Sequence, residues 1–253
     1  VDYYKWKILI PRGIKVDKKA ISQIDLILCN SSFTLSNVVK CFNRTAHSCL
    51  LGITQDVNPV NPEYKKFFIT ISRIEKVKNI LNLVKAVENL NRANKLDNYK
   101  YVIAGKGPDF DTIDTYLKNN NLENIIEMKG FVSEEEKNEL YSNCAFTVSL
   151  PLDEPFGLFC LESFAYRKAV ITSDHGGPAE LVSDKISGLL VDPFNIQQIE
   201  KALLRLINNP DETRTMGEKG YNILKEEFLF EHFVNRFLDK INSNFNNLNK
   251  REN

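Results

Sequence analysis

The chain has 253 residues, enough for one large α/β domain or for two modest ones. Its 33 Lys and Arg residues balance its 33 Asp and Glu residues, so bulk charge gives no reason to expect binding to nucleic acid or to an anionic membrane. No apolar run approaches the length that spans a bilayer, and the five cysteines form no C-x-x-C pair. We therefore expect a cytoplasmic protein with reduced, buried thiols and neither disulfides nor a zinc site.

Short apolar runs alternate along the chain with longer segments of helical period. The runs lie at 25–29, 67–72, 101–105, 125–130, 145–150, 169–173 and 188–192. Their near-continuous apolar character is typical of strands buried on both faces of a parallel sheet. The helical pattern covers 79–94, 109–120, 133–142, 157–167 and 195–208, and the third of these segments begins with the capping-box pattern of Ser133 and Glu136. This alternation predicts an α/β protein with a Rossmann-like, doubly wound parallel sheet.

Two other segments have a different character. Residues 53–66 carry two Asn-Pro pairs and no periodicity, which is typical of a linker. Residues 211–248 predict two amphipathic helices with no further strand, and the second has an aromatic and aliphatic face: Phe228, Phe230, Phe233, Phe237 and Ile241. The first residue is Val, and the opening residues have the character of the middle of a protein, so we expect a piece of a longer chain.

Two cations follow the predicted strand at 67–72. In open parallel sheets, ligands bind beyond the carboxyl ends of the strands. Arg73 lies directly at this strand end, and Lys78 lies five residues further on, before a helix. An Arg fork and a Lys point charge in this position suit a diphosphate. Two solvated loop cations are the competing interpretation, which the abundance of Lys and Arg on protein surfaces favours when this pair is taken alone.

The segment DEPFGLFCLE contains two glutamates around a predicted helix start. Phe156, Gly157 and Leu158 offer the free backbone N–H groups of a first helical turn, which with the helix dipole form an anion site. Glu162 lies about a turn and a half into the helix, where its carboxylate suits the vicinal hydroxyls of a ribose. Glu154 precedes the helix and would lie nearer the group attached to the phosphate. Helix capping and a surface glutamate explain the same spacing about equally well.

Two glycine-containing loops follow other strands. The segment GKGP, from Gly105, has only two glycines of a dinucleotide fingerprint, so a tight turn explains it about as well. The segment HGG, from His175, exposes backbone N–H groups, although a single His is more often a packing or capping residue. The chain has three His residues in no metal-ligand pattern. These loops extend the candidate site without naming its ligand.

Four ordered motifs together resemble the donor-binding half of the family-four retaining glycosyltransferases, the group 1 type. They are ISRIEKVKN, AGKGPD, GFVSEEEKNELYSNC, and EPFGLFCLESFA followed by AVITSDHGGPAELV. Members of this family have two facing Rossmann-like domains, so the resemblance implies the C-terminal half of a two-domain glycosyltransferase B-type fold. The two signature glutamates of the family would be Glu154 and Glu162.

The resemblance also implies a role for each residue at the sheet edge. Arg73 and Lys78 would hold the diphosphate, Glu162 the ribose and Glu154 the transferred sugar. Catalysis would stabilise the departing diphosphate, with no covalent glutamate intermediate, no cofactor and no obligatory metal. The helix start formed by Phe156, Gly157 and Leu158 would contact the donor. The backbone near the base would come from Gly105, Lys106 and Val132.

The same resemblance divides the chain into four parts. Residues 1–52 would be a remnant of the acceptor domain, 53–66 a linker, 67–226 the donor nucleotide-sugar-binding domain, and 227–253 a helix that crosses back, with a tail. The expected partners are a nucleotide-sugar donor, the missing N-terminal domain, and a glycan, lipid or small-molecule acceptor that the sequence does not name. Enzymes of this family often dock on membranes through the acceptor domain, which leaves contact with the inner face of a membrane open.

The chain also departs from the family pattern. After the second glutamate the family has small-Gly-x-Pro, whereas this chain has Tyr166, Arg167, Lys168 and Ala169, so we expect an ordinary side chain at an unusual φ. The glycine-rich loop and the histidine of the acceptor domain have no counterpart, so this chain alone should bind donor without efficient transfer. Two alternatives stay open: a non-catalytic nucleotide-sugar-binding domain, and a sugar-nucleotide epimerase, whose acid–base residues this stretch does not display.

Overall fold

The computed structural model describes residues 10–54 and 64–249. The strands are β1 (Leu28–Cys29), β2 (His47–Ser48), β3 (Phe67–Ile71), β4 (Lys100–Ala104), β5 (Ile126–Gly130), β6 (Phe146–Ser149), β7 (Ala169–Ser173) and β8 (Gly188–Val191). The helices are α1 (Ile10–Ser22), α2 (Ser32–Phe42), α3 (Ile80–Arg92), α4 (Phe110–Asn119), α5 (Glu134–Asn143), α6 (Leu158–Ala165), α7 (Pro178–Leu181), α8 (Ile196–Asn208), α9 (Pro210–Glu227) and α10 (Phe230–Asn249). A 3₁₀ turn at Lys76–Lys78 precedes α3.

The chain divides into two compact units. The smaller unit is Val1–Leu51 with Glu231–Asn253, and the larger is Gly52–Phe230. Most of the predicted linker, residues 55–63, lies outside the described residues. The assignment of these units to acceptor and donor roles stays a prediction.

The smaller unit contains a short parallel pair, β1 with β2, in which Leu28 lies opposite His47. Helix α2 follows β1, and the Ser31 side chain caps it by accepting a hydrogen bond from the Thr34 N–H at 3.0 Å. The Arg236 guanidinium of α10 donates to the Leu50 carbonyl at 2.9 Å. The strand predicted at 25–29 is shorter than expected and covers only Leu28–Cys29.

The larger unit has a parallel sheet in the order β5-β4-β3-β6-β7-β8. From β3 the chain adds β4 and β5 on one side of the sheet. It then returns to place β6 on the other side of β3 and adds β7 and β8 beyond it. The change of direction between β3 and β6 is a topological switch point, where ligands bind in open α/β sheets. The predicted doubly wound parallel sheet is confirmed, and its switch point lies where Arg73 and Glu154 leave their strands.

Side chains from both faces of the sheet are buried, as near-continuous apolar strands require. Phe68 stacks between Tyr101 and Phe146 with ring centroids 5.0 Å apart on each side. This face packs against α3 and α8, whereas Ile69 faces the opposite side, toward α5. Each fully buried Phe or Leu side chain contributes about 1.5–3 kcal/mol through the hydrophobic effect. The core therefore holds the switch-point loops on a rigid sheet.

Several local predictions are also confirmed. The capping box exists, because the Ser133 N–H donates to Glu136 Oε2 at 2.8 Å and the Glu136 N–H donates to Ser133 Oγ at 3.2 Å. The amphipathic pattern at 211–248 forms α9 and α10, but Phe228, predicted on the second helix, instead caps the end of α9. All five cysteines are free, and four are buried as predicted: Cys29, Cys49, Cys144 and Cys160. Cys41 is exposed, contrary to that prediction. Within the described ranges, no helix is both long and apolar enough to cross a membrane.

Candidate functional site

Backbone hydrogen bonds hold three loops together at the carboxyl edge of the large sheet. The Leu152 N–H, after β6, donates to the Val77 carbonyl, after β3, at 2.8 Å. The Gly177 N–H, after β7, donates to the Glu154 carbonyl at 2.9 Å. His175 adds a side-chain contact from its Nε2 to the Leu152 carbonyl. These bonds make one preorganised surface from segments that lie up to a hundred positions apart in sequence.

Lys78 and Glu154 form an ion pair on this surface. The Lys78 Nζ lies 2.5 Å from Glu154 Oε2, and the two side chains are 22% and 19% exposed. The Lys78 N–H donates to the Glu75 carbonyl at 2.8 Å, which closes the turn that carries the lysine. The structure thus brings together two residues that the sequence assigned to neighbouring parts of a ligand.

Arg73 lies in the same loop but is more exposed. Its side chain is 67% exposed, and its Nε lies 3.7 Å from Glu75 Oε2. A pair of that length in solvent contributes little to stability. Arg73 is therefore free to move toward a ligand at low energetic cost, although in this structure it does not join the Lys78–Glu154 pair.

Glu162 has two partners on α5. Its Oε2 accepts a hydrogen bond from the Tyr141 hydroxyl at 3.0 Å, and its Oε1 lies 3.6 Å from the Lys137 Nζ. Burial, and then the charge of Glu162, raise the pKa of Tyr141 well above its ordinary value, so the hydroxyl stays a donor. The Tyr141 ring stacks on Tyr166 with centroids 5.3 Å apart. The carboxylate is thereby aimed, and it keeps lone pairs for a further donor.

Sequence reasoning did not identify Tyr141 or Lys137. The signal was present: the two residues are four positions apart on α5, so they lie on one helical face. The motif GFVSEEEKNELYSNC contains both, but nothing local in the sequence places that face against Glu162. The contact depends on how α5 and α6 pack.

The helix start at Gly157 requires a glycine. Its φ is +98°, and a Cβ built there would lie 2.8 Å from Pro178 Cγ. Phe156 is buried, whereas Leu158 is half exposed at the first position of α6. The first N–H groups of a helix have no intrahelical acceptor, so this end of α6 suits an anion.

The loops after β4 and β5 also meet. The Gly105 N–H donates to the Gly130 carbonyl at 2.6 Å, and Gly105 has a φ of +135°. The Lys106 carbonyl accepts from the Ile74 N–H at 3.0 Å, which ties this loop to the one after β3. Val132 is half buried against the sheet. The three predicted base-contacting positions, Gly105, Lys106 and Val132, therefore lie at adjoining strand ends, and their role stays a prediction.

His175 braces the same edge. Its Nδ1 lies 3.2 Å from Asp174 Oδ1, and its other ring nitrogen contacts the Leu152 carbonyl. Burial opposes protonation, but the hydrogen bonds to Asp174 and to the Leu152 carbonyl prevail and raise the pKa of His175 above its ordinary value. In the part of the chain that the structure describes, no group of His, Cys, Asp and Glu is arranged to hold a metal ion. We assign His175 a bracing role.

The sequence model of one family, Glycosyl transferases group 1, matches residues 54–223. An alpha-1,3/1,6-mannosyltransferase of Dictyostelium discoideum is 29% identical over 70% of this chain and 46% of its own length. An uncharacterized glycosyltransferase of Methanocaldococcus jannaschii is 26% identical over 83% of this chain and 57% of its own length. This chain therefore spans about half the length of the curated relatives it matches.

Solved structures share the fold. A TarM variant of Staphylococcus aureus, in complex with Fondaparinux, alpha-GlcNAc-glycerol and UDP, superposes with a TM-score of 0.80 at 20% identity over 91% of this chain and 46% of that one. HepE of Anabaena, in complex with UDP and glucose, gives a TM-score of 0.78 at 17% identity over 92% of this chain and 67% of that one. The predicted architecture, one half of a glycosyltransferase B-type fold, is confirmed by these superpositions.

Proposed function

Because this chain belongs to the group 1 glycosyl transferases, we propose that it forms the donor-binding half of an enzyme that transfers a sugar from a nucleoside diphosphate sugar to an acceptor. We further propose retention at the anomeric carbon. The observation that carries the proposal is the Lys78–Glu154 pair at the switch point of the sheet, with Glu162 on the helix that follows the same loop. It is supported by the UDP in the structures of HepE and TarM.

The diphosphate would be held by cations and by the helix start. Lys78 supplies a point charge, Arg73 supplies an exposed fork, and the first turn of α6 from Phe156 to Leu158 supplies backbone N–H groups. Hydrogen bonds to charged groups contribute about 1.5–3 kcal/mol each. This set of donors meets the charge of a diphosphate without requiring a metal ion or a cofactor.

The ribose, the transferred sugar and the base of the donor would contact the two glutamates and the glycine loops. Glu162, aimed by Tyr141, would accept the ribose hydroxyls. Glu154 would accept hydroxyls of the transferred sugar. The base would lie along the backbone at Gly105, Lys106 and Val132. Such a layout orders base, ribose, diphosphate and sugar along the carboxyl edge of the sheet.

The chemical step would break the bond between the anomeric carbon and the diphosphate oxygen. The nucleoside diphosphate leaves with the bonding electrons, and Lys78, Arg73 and the α6 N–H groups stabilise the added negative charge. The acceptor oxygen forms its new bond on the same face of the sugar, and its proton passes to the departing phosphate. Glu154 holds the sugar hydroxyls in place during this exchange.

The acceptor half would complete the enzyme. We propose that residues 1–52 and 227–253 belong with that half, joined by the segment 53–66 to a donor domain at 67–226. The acceptor would be a glycan, lipid or small molecule, and the enzyme would work in the cytoplasm, where contact with the inner face of a membrane fits the same arrangement. This chain alone would bind donor without efficient transfer.

The test is calorimetric titration of the 253-residue chain with UDP, GDP and ADP. We expect saturable binding of one nucleotide, weakened about tenfold by Glu162→Gln because an ionised acceptor for the ribose is lost. Glu127→Gln is the matched control, since Glu127 is an exposed glutamate on β5 that pairs with Lys129 at 3.0 Å. Absence of binding to all three nucleotides, or equal effects of the two variants, would contradict the proposal.

A further inference from the structure

Glu154 forms an ion pair with Lys78, the cation that would bind the diphosphate in the proposed function. Its Oε2 lies 2.5 Å from the Lys78 Nζ, and both groups are mostly shielded from water. A partly buried pair is screened less than a surface pair, so the attraction survives ordinary salt. The ammonium therefore has a strong partner before any ligand arrives.

The pair cannot open by movement of one loop alone. The Glu154 carbonyl accepts from the Gly177 N–H at 2.9 Å, and a Cβ on Gly176 would lie only 2.9 Å from the same oxygen. On the other side, the Val77 carbonyl accepts from the Leu152 N–H at 2.8 Å. Both backbones are thus tied to neighbouring loops, so the two residues part only by rotation of their side chains.

A bare nucleoside diphosphate conflicts with this pair. Its phosphate oxygens must take Lys78 from a carboxylate that stays nearby and repels them. A diphosphate that carries a sugar brings hydroxyl donors, which give the displaced carboxylate a new partner. When the sugar nucleotide binds, its hydroxyls therefore offset the cost of separating Lys78 from Glu154. When the nucleoside diphosphate binds, nothing offsets that cost.

We propose that Glu154 is a specificity-determining residue that competes for Lys78 and so discriminates the sugar-bearing donor from the nucleoside diphosphate product. The inference rests on the proposed function and deepens it. After transfer, the sugar hydroxyls leave, Glu154 returns to Lys78, and the diphosphate loses its cation. Glu154 thereby assists product release as well as sugar placement.

The test compares nucleotide binding by the wild-type chain and by Glu154→Gln, which keeps the shape and removes the charge. The probes are UDP, GDP and ADP, each paired with UDP-glucose, GDP-mannose or ADP-glucose. Whichever of the three nucleoside diphosphates binds the wild-type chain should bind Glu154→Gln about five- to tenfold more tightly, because Lys78 is released from its ion pair. The matching sugar nucleotide should gain little or should bind more weakly, so the preference for donor over diphosphate falls.

Asp153→Asn is the matched control, since it removes the same charge one position earlier. Equal tightening by Asp153→Asn would show a general field effect and would overturn the proposal, as would an unchanged preference in Glu154→Gln. Glu154→Asp retains the charge but shortens the side chain; it should also tighten the diphosphate, and it provides the test if Glu154→Gln does not fold. In a Lys78→Met background, Glu154→Gln should tighten nucleoside diphosphate binding much less than it does in the wild type, because only the direct repulsion is then relieved.

The outcomes also separate this inference from the proposed function. Binding that Glu162→Gln weakens but that Glu154→Gln leaves unchanged overturns the competition alone. No binding of any of the three nucleotides by the wild type and by both Glu154 variants overturns the proposed function and this inference together.

Discussion

At the carboxyl edge of the large sheet, Lys78 pairs with a carboxylate at a partly exposed position, whereas at the amino edge Lys168 is buried against an aromatic ring. Lys78 and Glu154 form the pair at the carboxyl edge. At the amino edge, Lys168 is completely buried, with its Nζ 3.8 Å from the centroid of the Tyr64 ring. The Arg167 guanidinium, also at the amino edge, lies 3.8 Å from the Tyr221 ring centroid and pairs with Glu218 as well. Lys78 and Lys168, at opposite ends of one sheet, thus have opposite environments.

The difference shows that a cluster of charge is not by itself a binding site. Lys168 is enclosed by protein, and burial lowers its pKa to about 8. Its environment offers no room for a ligand, and its cation–π contact contributes about 1–2 kcal/mol to the fold. Lys78 keeps solvent access and a partner that can be exchanged. Exposure and the kind of partner distinguish a ligand-binding cation from a structural one.

Removing the carboxyl-edge cation should have the largest effect on binding. We expect Lys78→Met to weaken nucleoside diphosphate binding by about 30- to 100-fold, because a charge-assisted contact to phosphate contributes about 2–3 kcal/mol. Calorimetric titration measures this loss. Lys76→Met is the control, since Lys76 belongs to the same 3₁₀ turn. Equal losses in the two variants would mean that Lys78 acts only through net charge and would erase the distinction between the edges.

Removing the amino-edge cation should affect stability and leave nucleotide binding unchanged. We expect Lys168→Met to raise the free energy of unfolding by about 1–2 kcal/mol near neutral pH, because an apolar side chain avoids the cost of burying the charge. Urea unfolding measures the change.

The pH dependence of this gain has a definite sign. The folded-state pKa of Lys168 is lowered to about 8 from the ordinary 10.5, so the penalty is complete below the folded value and disappears as pH rises toward the unfolded value. Burial raises the pKa of Tyr64 to about 12, so the ring that faces Lys168 stays neutral over this range. The advantage of Lys168→Met should therefore shrink between about pH 8 and 10.5. An advantage that grows with pH would contradict this interpretation.

The smallest expected effect on binding comes from the residue that orients the Glu162 carboxylate. We expect Tyr141→Phe to weaken nucleoside diphosphate binding by about fivefold, because Glu162 loses a hydrogen bond of about 1 kcal/mol that orients it. The same change should have less effect on a 2′-deoxyribonucleoside diphosphate, which lacks one of the hydroxyls that Glu162 would accept. Titration of both nucleotides measures the difference.

Tyr166→Phe is the control, because the Tyr166 hydroxyl donates to Asn138 and not to Glu162. If both variants weaken both nucleotides to the same extent, Tyr141 acts through packing of the stacked rings and not through Glu162.

Local patterns in the sequence predicted much of this molecule. Apolar runs predicted the large sheet, and Ser133 with Glu136 predicted a helix start, because periodicity and capping depend on neighbouring residues. The replacement of a turn glycine by Arg167 predicted an unusual φ, and the observed value is +55°. A Schellman-type bond from the Lys168 N–H to the Ser163 carbonyl at 2.9 Å stabilises that conformation.

The candidate site was predicted only in part. Arg73, Lys78, Glu154 and Glu162 could be placed at strand ends and a helix start, because the carboxyl ends of parallel strands lie together. Their exposure and their partners could not be predicted. Lys137 and Tyr141 were missed because their contact with Glu162 requires the packing of α5 on α6.

Chain-local information was enough for the elements, the sheet and the edge at which ligands bind, since each follows from spacing within about ten residues. Long-range packing alone distinguished the two classes of cation. Lys78 and Glu154 are 76 positions apart, and Lys168 and Tyr64 are 104 positions apart, so no local rule pairs them. Burial sets the dielectric environment around each charge, and burial exists only once the sheet and its helices have packed.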